Sequence, residues 1–234
     1  MQLDPVGAAP PGTSPPTQAA PSWPETTRLS YQLDGRFRSG DLYGSAQVFW
    51  QREQAQYQVR VDVDITLFAK LSMVSQGVID GEQLVPRIFE EIRPGRKRRT
   101  ARFEAASITL DNGNTVDRPA NTQDAASQFV QLTHDFASGR VRLDVGRSVE
   151  LWMARPGGVD RWTYDVVALE EITTPGFGRV SAYHLRPRPI LRPRGNITME
   201  MWYAPSLQYL PVRIRLQMGE EAVLDLTALK VEQR

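Results

Sequence analysis

From Tyr57 to Ile65 the chain reads Tyr-Gln-Val-Arg-Val-Asp-Val-Asp-Ile, with an apolar residue at every odd position and Gln58, Arg60, Asp62 and Asp64 between them. Strand side chains alternate between the two faces of a sheet, so this period of two predicts a half-buried strand. The alternation recurs more weakly in Leu29-Tyr31-Leu33, Leu42 to Trp50, Val141-Leu143-Val145, Val180-Ala182-Tyr183-Leu185, Ile197-Met199-Met201 and Val212-Ile214-Leu216. Turn signals separate these runs: Asp34-Gly35, Asp80-Gly81, Asp111 to Asn114, Gly157-Gly158, Pro175-Gly176 and Gly219. Many short strands with turns rather than helices between them argue for an antiparallel sheet and against alternating β-α-β units.

One stretch breaks the period. Between Thr122 and Ser138 the residues Ala125, Ala126, Phe129, Val130, Leu132, Thr133 and Phe136 follow three-and-four spacing. This predicts an amphipathic helix with Asn121 or Thr122 as N-cap, Asp124 in its first turn and Gly139 just past its end. Leu84 to Ile92 fits either kind of element, and no fixed-period repeat is visible. The expected fold is mainly β: a single curved antiparallel sheet, open and half-barrel-like, with the helix packed on its concave face. Val48, Trp50, Tyr57, Val59, Val61, Val63 and Ile65 would line that concavity, and a cleft the helix leaves unfilled could take an acyl chain.

Composition adjusts this picture at the amino terminus. Met1 to Pro24 holds seven of the 17 prolines of the 234-residue chain and few large apolar residues. Such a segment cannot bury enough surface to offset its ordering entropy, so residues 1–26 read as a Pro-rich disordered linker or tail and 27–234 as one β-rich domain. No basic start followed by an apolar run marks a signal peptide. The chain is therefore expected to be cytoplasmic, or to follow an export signal or anchor helix that precedes Met1. No stretch is long and apolar enough to span a membrane. Cysteine is absent, which removes disulfides, thiolate metal sites, thiol nucleophiles and a cysteine-linked lipid anchor.

Charge is nearly balanced, at a formal +1, but the cations are clustered. Arg93 to Arg102 includes Arg96, Lys97, Arg98 and Arg99, and a second run holds Arg186, Arg188, Arg192 and Arg194. Arginine binds carboxylate and phosphate bidentately, so these loops are candidate surfaces for anionic headgroups, acidic glycans or a protein partner. They also read as solvated hairpin tips and edge strands protected by charge and proline. No interleaved aromatics or groove-reading helix accompany them, which argues against nucleic acid.

Catalytic chemistry is harder to place. His134 falls on the predicted helix away from its apolar stripe and reads as a solvated surface residue. His184 lies in a strand beside Arg186, where positive charge would disfavour its protonated form. A metal site would need both histidines and a carboxylate in register, and neither histidine has such a partner by spacing. Asp62 and Asp64 share a strand face with Gln58 and Arg60, which makes that face a wet exterior. Glu90-Glu91, Glu170-Glu171 and Glu220-Glu221 are adjacent pairs that would diverge on a strand. No nucleophile elbow, phosphate loop or Ser-x-x-Lys motif appears in a supporting context. The expectation is a non-enzymatic domain with no cofactor and no metal.

In Met201-Trp202-Tyr203-Ala204-Pro205 the proline ends a ladder because it has no N–H to donate. Ser206 to Gln208 would make the turn, and Pro211 would open the next strand. Trp202, Pro205, Tyr209 and Pro211 thus read as conformational residues. This hairpin, together with Gln123-Asp124-x-x-Ser127 at the predicted helix start, resembles the bacterial family known as domain of unknown function 3108. Leu29 to Leu33, Gly44-x-Ala46-x-x-x-Trp50 and Tyr164 to Gly176 fit as well, so the resemblance covers about Thr27 to Val231. It implies an exported protein of the Gram-negative periplasm or cell envelope with an open half-barrel fold, and its motifs are structural. On that basis the expected role is binding of an apolar or amphipathic, lipid-like envelope molecule. The alternative is an envelope scaffold that recognises a protein through edge strands and Arg-rich loops.

Overall fold

The computed structural model describes residues 23–38, 40–66, 69–190 and 197–234. Its first half is a run of antiparallel neighbours: β1 (Thr26–Phe37), β2 (Gly40–Glu53), β3 (Gln56–Ile65), β4 (Ala69–Asp80), β5 (Gln83–Ile92), β6 (Arg99–Phe103), β7 (Ser107–Thr109) and β8 (Thr115–Asp117). A two-residue strand, β9 (Gln123–Asp124), leads into α1 (Ser127–Ala137), the one α-helix among the described residues. The second half consists of β10 (Ser148–Arg155), β11 (Gly158–Thr174), β12 (Gly178–Pro187), β13 (Ile197–Ala204), β14 (Leu210–Met218) and β15 (Ala222–Gln233). All belong to one 15-stranded sheet, in the order β8-β7-β6-β5-β4-β3-β2-β1-β15-β14-β13-β12-β11-β10-β9. β1 and β15 pair at its centre, so the two halves meet where the chain enters and leaves the domain.

The period of two accounts for the core. Leu29, Tyr31 and Leu33 of β1, Ala46, Val48 and Trp50 of β2, and Tyr57, Val59, Val61 and Ile65 of β3 are buried on one face. Their register puts Leu29 opposite Val48, and Val48 opposite Val61, so each apolar row continues from strand to strand. The polar row of β3 faces outward, where Arg60 donates to Asp62 at 2.7 Å. Burial alone would raise the Asp62 carboxyl, but hydrogen bonds from Arg60 and Ser72 outweigh it and hold the group below the usual carboxylate range. Close strand approach explains Gly44: a Cβ there would lie 2.0 Å from the Asp64 carbonyl oxygen.

Three local expectations are corrected. Asp34-Gly35 lies inside β1 rather than in a turn, and Gly35 makes room for the Val223 backbone on β15. Val141 to Val145 forms a loop rather than a strand; Leu143 is buried and Val145 exposed. The helix starts at Ser127, five residues after Thr122, because Gln123 and Asp124 are taken up pairing parallel with Met153 and Ala154 of β10. Asp124 still caps it from outside, accepting from the N–H groups of Ala126 and Ser127 at 2.9 and 2.8 Å. Leu84 to Ile92 is strand β5.

The helix start also joins the two ends of the sheet. Gln123 donates to Leu84 C=O on β5 at 2.9 Å, and Leu84 N–H donates to Gln131 Oε1 on α1 at 2.7 Å. The Asp111 N–H bonds the Pro156 C=O at 3.2 Å between the β7–β8 and β10–β11 turns. The curved sheet is thereby bridged into a barrel-like body by one short helix.

Candidate functional site

A cleft of about 900 Å³ opens at one end of this body, between α1, the chain entering β1 and the β13–β14 turn. Its walls carry Leu29, Val48 and Trp50 from the sheet, Phe129 and Val130 from the helix, and Tyr209, Leu210 and Pro211 from the turn. Arg52, Thr133, His134, Gln208, Gln233 and Arg234 supply polar groups. The helix leaves this space because it is only 11 residues long and covers one part of the concave face.

The entrance is built by aromatic stacking. Trp23 lies against His134 with ring centroids 3.7 Å apart and against Trp50 at 5.4 Å, and Trp50 continues the stack to Tyr57 at 5.7 Å. Hydrogen bonds fix the stack: Trp23 Nε1 donates to Gly81 C=O at 3.2 Å, and Trp50 Nε1 donates to Pro24 C=O at 2.8 Å. Arg52 Nε donates to Trp23 C=O at 3.1 Å. The opposite wall depends on a strained turn in which Gln208 and Tyr209 both have φ of 55°. The Tyr31 hydroxyl holds that turn by donating to Pro211 C=O at 2.7 Å.

Below the cleft lies a buried polar network. Ser75 donates to the Asp124 carboxylate at 2.5 Å, and the Tyr57 and Ser75 hydroxyls are 3.1 Å apart. Ser127 Oγ accepts from the Asp124 N–H at 2.9 Å, completing a reciprocal cap. Burial pushes the Asp124 carboxyl from 3.8 up to about 6, against the opposing pull of these hydrogen bonds. Burial, with a smaller contribution from Asp124, also raises the Tyr57 phenol well above its usual range. The network ties β3 and β4 to the start of the helix that forms the cleft wall.

The structure divides the expected concave-face residues. Val48 and Trp50 reach the cleft, whereas Tyr57, Val59, Val61 and Ile65 are buried in the core and Val63 packs against it half-buried. Gln123, Asp124 and Ser127 form the seam and the cap. Pro205, Tyr209 and Pro211 shape one cleft wall, while Trp202 lies elsewhere, stacked between His184 at 4.1 Å and the Arg213 guanidinium at 4.8 Å.

None of the described residues of the basic loops lines the cleft. Arg98 pairs with Glu90 at 2.9 Å, Arg99 lies 3.8 Å from both Glu91 and Asp111, Arg186 lies 3.8 Å from Glu200, and Arg188 pairs with Asp165 at 2.7 Å. Arg96 and Lys97 are exposed, and among the described residues no carboxylate pairs with them. Arg192 and Arg194 lie outside the described residues.

Both histidines differ from expectation. His134 is buried, not solvated, because Trp23 covers its ring and the Glu82 carboxylate bonds its Nε2. His184 has carboxylate partners that its spacing did not reveal: Glu200 at Nε2, 2.5 Å away, and Glu170 at Nδ1, 3.3 Å away. They come from neighbouring strands, so pairing rather than sequence distance brings them together. Among the described residues no group of three or more His, Cys, Asp or Glu is arranged to hold a metal ion. Sequence reasoning also missed Trp23 and Arg52; the one tryptophan among the prolines before Thr26 was the available signal.

Residues 29–227 match the family described as Protein of unknown function (DUF3108). The chain belongs to that family. This DUF3108 domain is similar in fold to the crystal structure of a β-barrel-like protein of domain of unknown function DUF1849 from Brucella abortus. The two share 12% identity and a TM-score of 0.57, over 89% of this chain and 98% of that one. A DUF1329 family protein from Desulfovibrio piger aligns over 90% of this DUF3108 chain and 86% of its own, at 7% identity and a TM-score of 0.26. No curated protein matches the sequence. Among the described residues no helix is long and apolar enough to cross a membrane.

Proposed function

We propose that this DUF3108 domain is a binding protein of the bacterial cell envelope that holds an apolar or amphipathic, lipid-like molecule in the cleft and performs no chemistry on it. The observation that carries the reading is the open cleft of about 900 Å³ with apolar walls from the sheet, the helix and the β13–β14 turn. A cavity of this kind matches the size and apolar character of small-molecule sites, with a few polar groups placed to orient a ligand. An apolar chain would lie against Leu29, Val48 and Phe129, and its polar end would face Arg52, Gln208 and Gln233 at the rim. His134, the imidazole at the entrance, is engaged by Trp23 and Glu82, consistent with a wall rather than a proton carrier. The envelope address rests on the family resemblance and on the Pro-rich segment, not on the fold.

Native mass spectrometry of protein purified from its host compartment, followed by lipid extraction, tests this proposal. The expected result is a co-purifying lipid-like species, together with uptake of a lipophilic dye that Ala137→Phe, which fills the cleft from the helix, reduces. A compact protein with no bound lipid and no dye uptake would overturn it.

A further inference from the structure

A second opening, of about 450 Å³, lies at the barrel seam between β10, α1 and the start of β5. Its walls include Asn121, Leu132, Asp135, Arg140, Glu150 and Trp152. One wall is an open strand edge. The Val166 N–H donates to Arg147 C=O at 2.9 Å. Antiparallel ladders alternate from such a pair, so Val149 and Leu151 bond β11 while Ser148 and Glu150 turn their backbone groups to the other side. On that side β9 pairs only with Met153 and Ala154. Asn121, at φ 58°, bends the chain away from β10 just ahead of this stub, so the ladder stops there. Among the described residues nothing pairs with the Ser148 or Glu150 backbone across the opening. The facing strand is treated differently: both backbone groups of Leu84 are taken by glutamine side chains.

An occupant that matches this edge must offer donors and acceptors alternating along a line at about 6.8 Å, which is the repeat of an extended backbone. The wall charges are already matched, because Arg161 pairs with Glu150 and Arg140 lies 3.5 Å from Asp135. The site therefore favours an uncharged occupant. Inward-pointing side chains would meet Leu132, Val141 and Leu151, and outward ones would meet Trp152. We propose that the open edge of β10 binds a short, uncharged, extended peptide by strand addition, pairing with Ser148 and Glu150 and placing alternate apolar side chains against Leu132. The edge from Ser148 to Trp152 suits about four residues. This site does not depend on the cleft or its ligand.

Amide hydrogen exchange on the full chain tests the proposal, with the blocked tetrapeptide acetyl-Val-Thr-Val-Thr-amide as probe. Saturating peptide should slow exchange at Ser148 and Glu150 by at least roughly tenfold, since backbone pairing protects amides from opening to water. Glu150→Pro removes the edge donor, whose N–H points away from β11, and should abolish this protection at Ser148; Glu150→Ala should retain it. The same peptide with alternate amides N-methylated tests the pairing without altering the protein, and should not protect. Unchanged exchange at millimolar peptide, equal protection by the N-methylated peptide, or protection by a neutral oligosaccharide but not by the peptide would each overturn the proposal.

Discussion

Gln131 stands in for a neighbouring strand at Leu84: its side-chain oxygen accepts the Leu84 N–H at 2.7 Å from the helix face. The same amide donates to Glu82 C=O at 3.0 Å and to Asp135 at 2.8 Å, so one side chain satisfies groups on both β5 and α1. A primary amide offers the donor and acceptor of a peptide group, which lets a helix complete a sheet edge. Gln131→Leu keeps the bulk and removes the acceptor. The buried Leu84 N–H is then left unpaired, at an expected cost of about 1 to 3 kcal/mol. The measurement is urea unfolding, with a lower midpoint at unchanged slope. Wild-type stability in the Gln131→Leu variant would mean that water replaces the glutamine.

Asp124 predicts an unusual pH dependence. Its folded value of about 6 lies above the ordinary 3.8, so folding takes up a proton between the two values. Stability from this group is fully present below about pH 4 and is lost as pH rises through about 6, amounting to roughly 3 kcal/mol for two units. Asp62, Asp165 and Asp225 are shifted downward and act in the opposite sense, losing their stabilisation only under more acid conditions. The urea midpoint should therefore be higher near pH 5 than near pH 7.5. Asp124→Asn keeps an acceptor for Ala126 and Ser127 and a donor for Ser75, and should flatten the profile over that range. A wild-type midpoint that falls from pH 7.5 to pH 5 would refute the assignment.

The β11–β12 hairpin reaches across two strands to β15, where the Gly176 N–H donates to Ala228 C=O at 3.2 Å. A Cβ on Gly176 would sit 1.9 Å from the Leu229 carbonyl oxygen, and backbone cannot yield as a flexible side chain can. Gly176→Ala should detach the turn while leaving the barrel folded. Limited proteolysis reads this directly, as new cleavage between Thr174 and Gly178 at an almost unchanged main unfolding transition. Resistance equal to wild type would show that the contact is dispensable.

Much of this architecture was legible in the chain because alternation is a local property. Tyr57 to Ile65 needs no partner to declare which of its faces is buried, and Pro205 and Pro211 mark strand ends through a missing N–H. Other features depend on contacts remote in sequence. Thr122 looks like an N-cap by itself, but β10 captures Gln123 and Asp124 and delays the helix. His184 gains Glu170 and Glu200 through strand pairing, and His134 is buried by a tryptophan 111 positions earlier in the chain. Within the site, Val48 and Trp50 were readable as concave-face residues. The wall formed by Trp23 was not, because the surrounding prolines suggested a segment with nothing to bury.

That wall supplies the last prediction. Trp23 links the entering chain to the body through three contacts: its ring on His134, its ring on Trp50 and its Nε1 on Gly81. Trp23→Ala removes all three, whereas Trp23→Phe keeps an aromatic surface and loses only the hydrogen bond. The side chain is half-buried, so the Ala variant should lose about 1 to 3 kcal/mol of stability, and Phe a smaller amount. Removing one side of the entrance should also weaken uptake of a lipophilic dye in the Ala variant more than in the Phe variant. Emission from Trp50 should move to longer wavelength as water reaches its ring. Stability and dye uptake separate two roles for Trp23: a fall in stability alone makes it a clasp for the entering chain, and a fall in both makes it a wall of the binding cleft. If neither changes in Trp23→Ala, the stack on His134 contributes nothing to the domain, and the cleft must be defined without it.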